Sequence, residues 1–337
     1  MYSKKMKKVL RSPYKYILKK FDKINFGNSK EVDTILVGSP RSGTTWFLDI
    51  TSRYEGFCSL YEPLHYRWFP EAYQYGFKHR RRLRPKRNYG KEKNYLQSVI
   101  KGNVYSREPR IFLNSKFTNV ADEILKRKRA NKIVAKFVRA GRMMSWMMDR
   151  FGDINYVYLI RHPCAVIKSQ IENSISGHIE SIDNPYEQLV VSGRISNATL
   201  MREASELEDK YKSKCKDVLK KDKSLLAKLS VVWALDNAIS FQDMSNSVKA
   251  ASIVRYEDFL RKEFNNKLDT LERIGFTKKQ LNEKRANQIK EMTKQNRIEE
   301  RLYSWKSYFA EDKIKKIMNI ISYISAQMHE HWNYSTS

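Results

Sequence analysis

Asp33-Thr-Ile-Leu-Val-Gly-Ser-Pro-Arg-Ser-Gly-Thr-Thr-Trp46 is the stretch that decides how the chain folds. It begins as a short apolar run that stops at Gly38, as a buried strand stops at a turn. From Gly43 onward Trp46, Phe47 and Ile50 recur at helical spacing, so strand, tight loop and helix follow in order. A glycine-containing turn entering a helix aims several backbone N–H groups at one point, and the helix dipole adds partial positive charge there. In open parallel sheets ligands bind beyond the carboxyl ends of the strands. An anion belongs in this loop.

Working outward, Phe57 to Tyr61, Lys132 to Phe137, Tyr156 to Ile160 and Ala251 to Val254 read as four further strands. Helical patterns fall between several of them. The expected fold is therefore α/β: three layers, with a mostly parallel central sheet covered by helices and a phosphate loop after its first strand. Residues 31–337 are expected to form one domain with insertions at about 64–110, rich in Tyr, Arg, Lys and Pro, and 180–248, mostly helical. The tail from about 265 is charged and helical, ending on an amphipathic segment around Ile314, Ile317, Ile320, Ile321 and Ile324.

The 337 residues are 41% hydrophobic, enough for a real core, and only 12 glycines and 8 prolines argue against a disordered or collagen-like chain. Lys and Arg total 65 against 37 Asp and Glu, a net charge of +28, so the field favours anionic partners. Cys58, Cys164 and Cys215 lie far apart without a CxxC pair, which indicates neither a disulfide framework nor a zinc site. No run is long and apolar enough for a membrane span or a secretory signal, so the expected location is cytoplasmic. In residues 1–30, Leu10, Tyr14, Ile17, Leu18, Phe21 and Ile24 recur at helical spacing among Lys7, Lys8, Arg11, Lys15, Lys19, Lys20 and Lys23. That pattern is a basic amphipathic helix, suited to packing on the domain or to peripheral contact with a membrane through residues 7–24.

Gly38 and Gly43, with four residues between them, resemble the glycines of a Walker loop, but the lysine required after the second glycine is Thr44. The cation stands inside the loop, at Arg41. The fourth strand runs into Arg161 where a magnesium-holding Asp would be needed, so a kinase of the P-loop type is disfavoured and no metal is expected. Strand four continues into Arg161-His-Pro-Cys-Ala-Val-Ile-Lys-Ser169. A guanidinium just past a strand, with a hydroxyl across the first turns of the next helix, can grip a second phosphate.

Pro40-Arg-Ser-Gly-Thr-Thr-Trp46 resembles the 5′-phosphosulfate loop of the sulfotransferases that use 3′-phosphoadenosine 5′-phosphosulfate (PAPS), and the Arg161 to Ser169 segment is similar to their 3′-phosphate motif. His162 and Cys164 depart from the acidic and basic residues usual there, at positions that are not phosphate ligands. The resemblance runs in motif order from residue 34 to about 260. It implies a P-loop-like fold and PAPS as sulfuryl donor, with Arg41, Ser42, Gly43, Thr44 and Thr45 on the 5′-phosphosulfate, Trp46 on the adenine or in the core, and Arg161 and Ser169 on the 3′-phosphate. Arg255-Tyr-Glu-Asp258 also resembles a family segment, but Glu257 and Asp258 are accounted for as acids at the start of a helix. Trp305, Arg301 and Lys306 are candidates for closing over the nucleotide.

Sulfuryl transfer needs in-line geometry, charge stabilisation and a base for the incoming hydroxyl. The second strand ends in Leu60-Tyr-Glu62-Pro-Leu-His65, and carbohydrate-type members of the family use a glutamate at this place as base. The small-molecule type uses a histidine after the third strand, which here reads Ala135-Lys136-Phe-Val-Arg139. The expected catalytic residues are therefore Glu62, Lys136 and Arg41, with His65 as an alternative base and Arg139 as a candidate to engage acceptor or sulfate. The acceptor is expected to be a hydroxylated saccharide or glycolipid. The basic run Lys78-His-Arg-Arg-Arg-Leu-Arg-Pro-Lys-Arg87 suits a solvated loop, a clamp for an acidic saccharide, or contact with lipid headgroups. Nucleic-acid binding would also use the basicity, but the two ordered anion motifs explain more than charge alone.

Overall fold

The computed structural model describes residues 30–65, 69–77, 81–104, 129–175, 209–245, 247, 251–293, 298–326 and 328. The basic N-terminal segment, Tyr66, Trp68, Lys78 to Arg80 and residues 180–208 lie outside them. Five strands form one sheet: β1 (Glu31–Val37), β2 (Phe57–Tyr61), β3 (Lys132–Phe137), β4 (Asn155–Ile160) and β5 (Ser252–Arg255). Their order is β2-β3-β1-β4-β5 and every pairing is parallel. The expected α/β architecture is present, and the sheet is wholly rather than mostly parallel.

Parallel neighbours need crossovers, and these cover both faces. Strand period does the sorting. Ile35 and Val37 of β1, Ile133, Ala135 and Phe137 of β3, and Tyr156, Tyr158 and Ile160 of β4 join one core. Leu36, Val134, Val157 and Leu159 point into the other. The first core is closed by α3 (Gly90–Ile100), α4 (Met144–Arg150), α5 (Pro163–Ile175), α7 (Leu225–Ser245) and α12 (Glu311–Ile324). The second is closed by α1 (Thr44–Thr51), α8 (Tyr256–Arg261), α9 (Phe264–Arg273), α10 (Glu283–Met292) and α11 (Ile298–Tyr308). The short α2 (Pro70–Gln74) and α6 (Asp209–Lys221) complete the helices used below.

Part of the block read as an insertion, α7, is buried on nearly all sides, as a helix without a polar face must be. Its buried polar residues are all paired. Arg142 Nε donates to Asp236 Oδ1 at 2.9 Å with its Nη2 in ion-pair contact at 2.8 Å, Asp243 holds Arg82 bidentately, and Asn237 bonds Ser39 and Tyr158. Removing one partner of such a buried pair costs about 3–5 kcal/mol, because a charge is left without compensation. These pairs fix α7 against the loop after β1 and against residues 81–87. Among the described residues, no helix is long and apolar enough to cross a membrane.

Strand order places the functional edge. From β1 the chain goes out to β2, returns through β3, and crosses β1 to reach β4 and β5. The carboxyl ends of β1 and β4, neighbours in the sheet, therefore flank the crevice where the order switches.

Candidate active site

The loop after β1 is shaped by close approach. A Cβ on Gly38 would lie 2.5 Å from the Leu159 carbonyl oxygen, so only glycine lets the loop pass β4. Gly43 has φ +92°, and a Cβ there would stand 2.5 Å from the Tyr256 ring. Between them Arg41 adopts φ +73°, a left-handed conformation that costs a non-glycine residue about 1–2 kcal/mol. Ser42 stitches the turn, its N–H and hydroxyl both donating to Ser39 O at 3.1 and 2.6 Å. No side chain caps α1, which leaves N–H groups of its first turn without a partner within the helix.

Two cations make contacts around this turn. Arg41 is exposed, and its Nε donates to Ser169 Oγ at 3.1 Å. Lys136 comes from β3, and its Nζ donates to Thr45 Oγ1 at 2.7 Å. Trp46 is half-buried; its indole N–H donates to Met292 O at 3.3 Å and its ring meets Tyr256 and Phe259 edge-on. In this structure Trp46 is a packing aromatic of the second core.

The β4 segment closes on the same place. Arg161 donates to Arg41 O at 3.2 Å and to Arg301 O at 2.9 Å, and its guanidinium lies 4.7 Å from the Tyr256 ring centroid. Its Nε is buried with no hydrogen-bond partner. Arg161, Lys168, Ser169, Arg301 and Ser304 line a cleft of about 310 Å³ that Glu172 and Glu300 also border. The two motifs, more than a hundred residues apart, thus meet side by side. Beside Arg161, His162 stacks on Trp305 with centroids 4.3 Å apart. Burial, with the Arg161 and Lys306 charges near by, pushes its imidazole down from 6.5 to about 3, so it is neutral. Of the three tail residues proposed to close the site, Arg301 lines the cleft, Trp305 packs on His162, and Lys306 lies 5.9 Å from the Trp305 ring.

On the other side of β1, Glu62 leaves β2 with φ +49° and is 2% exposed. Its backbone N–H donates to Lys136 O at 2.9 Å, and its carboxylate accepts from Val138 N–H at 3.2 and 3.3 Å. Lys136 Nζ lies 3.1 Å from Oε1, and Arg139 Nη1 3.5 Å from Oε2. Lys136 also sits 3.8 Å from the Tyr61 ring centroid. Glu62 is thus no surface carboxylate. The chain Glu62–Lys136–Thr45 joins it to the start of α1, and Arg139 lies within ion-pair distance of Glu62. His65 is buried next to this cluster, at 2% exposure.

The structure adds residues that sequence reasoning missed. Ser39, Asp236 and Arg142 line a hole of about 10 Å³ behind the loop, the size of one water, and Asn237 donates to Ser39 Oγ at 3.2 Å. Tyr256 lies under Arg161 and against Gly43. Glu257 is in the first turn of α8 as expected, but it is buried and accepts the His162 N–H at 2.9 Å. In the basic run, Arg82 is held by Asp243 and Arg81 pairs with Glu92 at 3.2 Å, whereas Arg84, Lys86 and Arg87 are exposed.

Fold and site together define an α/β protein in which two basic loop segments meet beside a buried carboxylate–lysine pair on one sheet edge. No family model matches the sequence, and no curated protein matches it. Among solved structures, the chain is similar to the sulfotransferase domain from the Synechococcus PCC 7002 olefin synthase, at 15% identity and TM-score 0.40, over 92% of this chain and 98% of that one. It is also similar to the sulfotransferase domain from the curacin biosynthetic pathway, at 16% identity and TM-score 0.39, over 88% of this chain and 99% of that one.

Proposed function

We propose that the chain is a sulfotransferase that moves a sulfuryl group from PAPS to a hydroxyl of a saccharide or glycolipid-like acceptor, releasing adenosine 3′,5′-bisphosphate. The observation that carries this reading is the contact between the two anion segments, Arg41 Nε to Ser169 Oγ and Arg161 to Arg41 O. One ligand carrying anions at two nearby positions would satisfy both. The unpartnered Arg161 Nε, the uncapped start of α1 and the adjoining cleft fit such a ligand.

PAPS supplies, when bound, a sulfuryl group on a phosphate that leaves readily. Arg41, Ser42, Gly43, Thr44 and Thr45 are proposed to hold its 5′ end, Arg161 and Ser169 its 3′-phosphate, and Trp46 to border the adenine. Glu62 is proposed to take the proton of the acceptor hydroxyl. Its carboxylate is then neutral, and Lys136, 3.1 Å away, is released toward charge developing beside Thr45. A cation shared between base and leaving oxygen in a dry pocket acts where a mobile one would be screened.

The acceptor class follows from Glu62 after β2, where carbohydrate-type members place their base, together with the lack of a histidine directly after β3, where the small-molecule type places its own. Exposed Arg84, Lys86 and Arg87 are suited to an acidic saccharide, and residues 7–24 to a membrane surface carrying a glycolipid. The test is transfer from labelled PAPS to glycan and glycolipid panels, with release of adenosine 3′,5′-bisphosphate measured in parallel. Label on a saccharide hydroxyl supports the whole reading. Label only on non-carbohydrate hydroxyls overturns the acceptor class, and no transfer to any hydroxyl overturns the activity.

A further inference from the structure

Arg161 works from an awkward place. The β4–β5 ladder ends with Ile160 opposite Arg255, and α5 starts at Pro163, so Arg161 and His162 form a two-residue link with no strand partner. A long side chain on a loose link would grip nothing reproducibly.

The link is held through His162. Its carbonyl accepts the Val166 N–H at 3.0 Å, its imidazole Nδ1 accepts the Cys164 N–H at 3.2 Å, and its ring stacks on Trp305. The His162 backbone N–H donates to Glu257 Oε1 at 2.9 Å. Glu257 is 3% exposed. Its other oxygen finds no partner outside its own residue, and burial pushes its carboxyl up from the usual range against the pull of the His162 N–H and the Arg161 charge. An acid that merely complements a helix start would stay in water, as its neighbour Asp258 does at 46% side-chain exposure. A buried carboxylate with one bond is poor stabilisation, so its value lies in what the bond positions.

We infer that Glu257 is a positioning residue for the 3′-phosphate grip: by accepting the His162 N–H it fixes the link from which Arg161 reaches the donor, and so sets selectivity for a 3′-phosphorylated nucleotide without touching it. The inference rests on the donor reading above.

The experiment compares calorimetric affinities for adenosine 3′,5′-bisphosphate and adenosine 5′-monophosphate across the full-length chain, Glu257→Gln and Glu257→Asp. Glutamine keeps the length and an acceptor oxygen; aspartate keeps the charge but is one methylene short. The unsubstituted chain is expected to prefer the bisphosphate, and Glu257→Gln to keep that preference. Glu257→Asp is expected to reduce it roughly tenfold, the worth of about one charge-assisted hydrogen bond, with affinity for the monophosphate unchanged. If the aspartate variant does not fold, Glu257→Met, similar in volume and a poor acceptor, is held to the same outcome. A preference that survives in the shortened or apolar variant, or equal losses for both nucleotides, overturns the positioning role. A loss in Glu257→Gln as large as in Glu257→Asp overturns its hydrogen-bond basis. An unsubstituted chain with no preference overturns the donor reading and takes this role with it.

Discussion

The two halves of the sheet's carboxyl edge are built on different plans. Beside β4, the site consists of two short contiguous segments, 38–46 and 161–169, whose polar groups are partly exposed and touch each other directly. Beside β2 and β3, it is a buried ion cluster, Glu62 with Lys136 and Arg139, drawn from the carboxyl ends of two strands and shielded from water. The first plan suits binding, because exposed donors can exchange water for a ligand's oxygens. The second suits chemistry, because charges in a low-dielectric setting respond strongly when one of them is neutralised.

If this division holds, substitutions on the two sides separate turnover from affinity. Glu62→Gln should produce the largest effect, a fall in kcat of about 10²–10⁴-fold, the usual worth of a positioned base. Its affinity for adenosine 3′,5′-bisphosphate should stay within a few-fold by calorimetry; near-normal turnover would remove Glu62 from the base role. Arg161→Ala should do the reverse. It should weaken nucleotide binding by roughly 10–100-fold, as for loss of one or two charge-assisted bonds. An unchanged dissociation constant would dissolve the second anion grip.

The same division explains what could be read in the sequence. The five strands are apolar runs bounded by turn signals, and they lie within a residue or two of their expected limits. Both basic segments, 38–46 and 161–169, are contiguous in sequence, so their residue types and spacing could be read directly as candidates. The ion cluster is not local: that Glu62 is buried and paired with Lys136 depends on β2 lying beside β3, which neither segment states. Glu257 was legible only as a helix-start acid, since its partner is the backbone of residue 162. In the stretch 64–110, Tyr95, Leu96 and Val99 of α3 are buried at helical spacing, but the charged residues Lys91, Glu92 and Lys93 just before them blur the period. The buried polar residues of α7 likewise depended on partners far along the chain, such as Ser39 and Arg82.

Two smaller effects sharpen the contrast further. Gly43→Ala places a Cβ against the Tyr256 ring at a φ that alanine tolerates poorly, so stability should fall by about 1–3 kcal/mol. Denaturant unfolding measures it, and an unchanged midpoint would mean that the loop does not need this approach. The smallest effect concerns pH. As pH falls below 6.5 the unfolded chain protonates residue 162 while the folded chain resists until about 3, so His162 makes the protein lose stability through that window. By pH 5 this amounts to about 2 kcal/mol. His162→Phe keeps a ring against Trp305 and removes the titration, so its Tm should fall less than that of the unsubstituted chain between pH 7 and 5. Parallel Tm curves would contradict a neutral, buried imidazole.

The central claim is that the two anion grips serve one doubly phosphorylated nucleotide. Isothermal titration of the unsubstituted protein with adenosine 3′,5′-bisphosphate, adenosine 5′-monophosphate and adenosine 3′-monophosphate, with and without magnesium, tests it most directly. The account predicts that the bisphosphate binds at least about tenfold more tightly than either monophosphate, since each phosphate adds charge-assisted bonds of its own, and that magnesium does not alter the order. Equal affinities for all three, or bisphosphate binding that requires the metal, would contradict it.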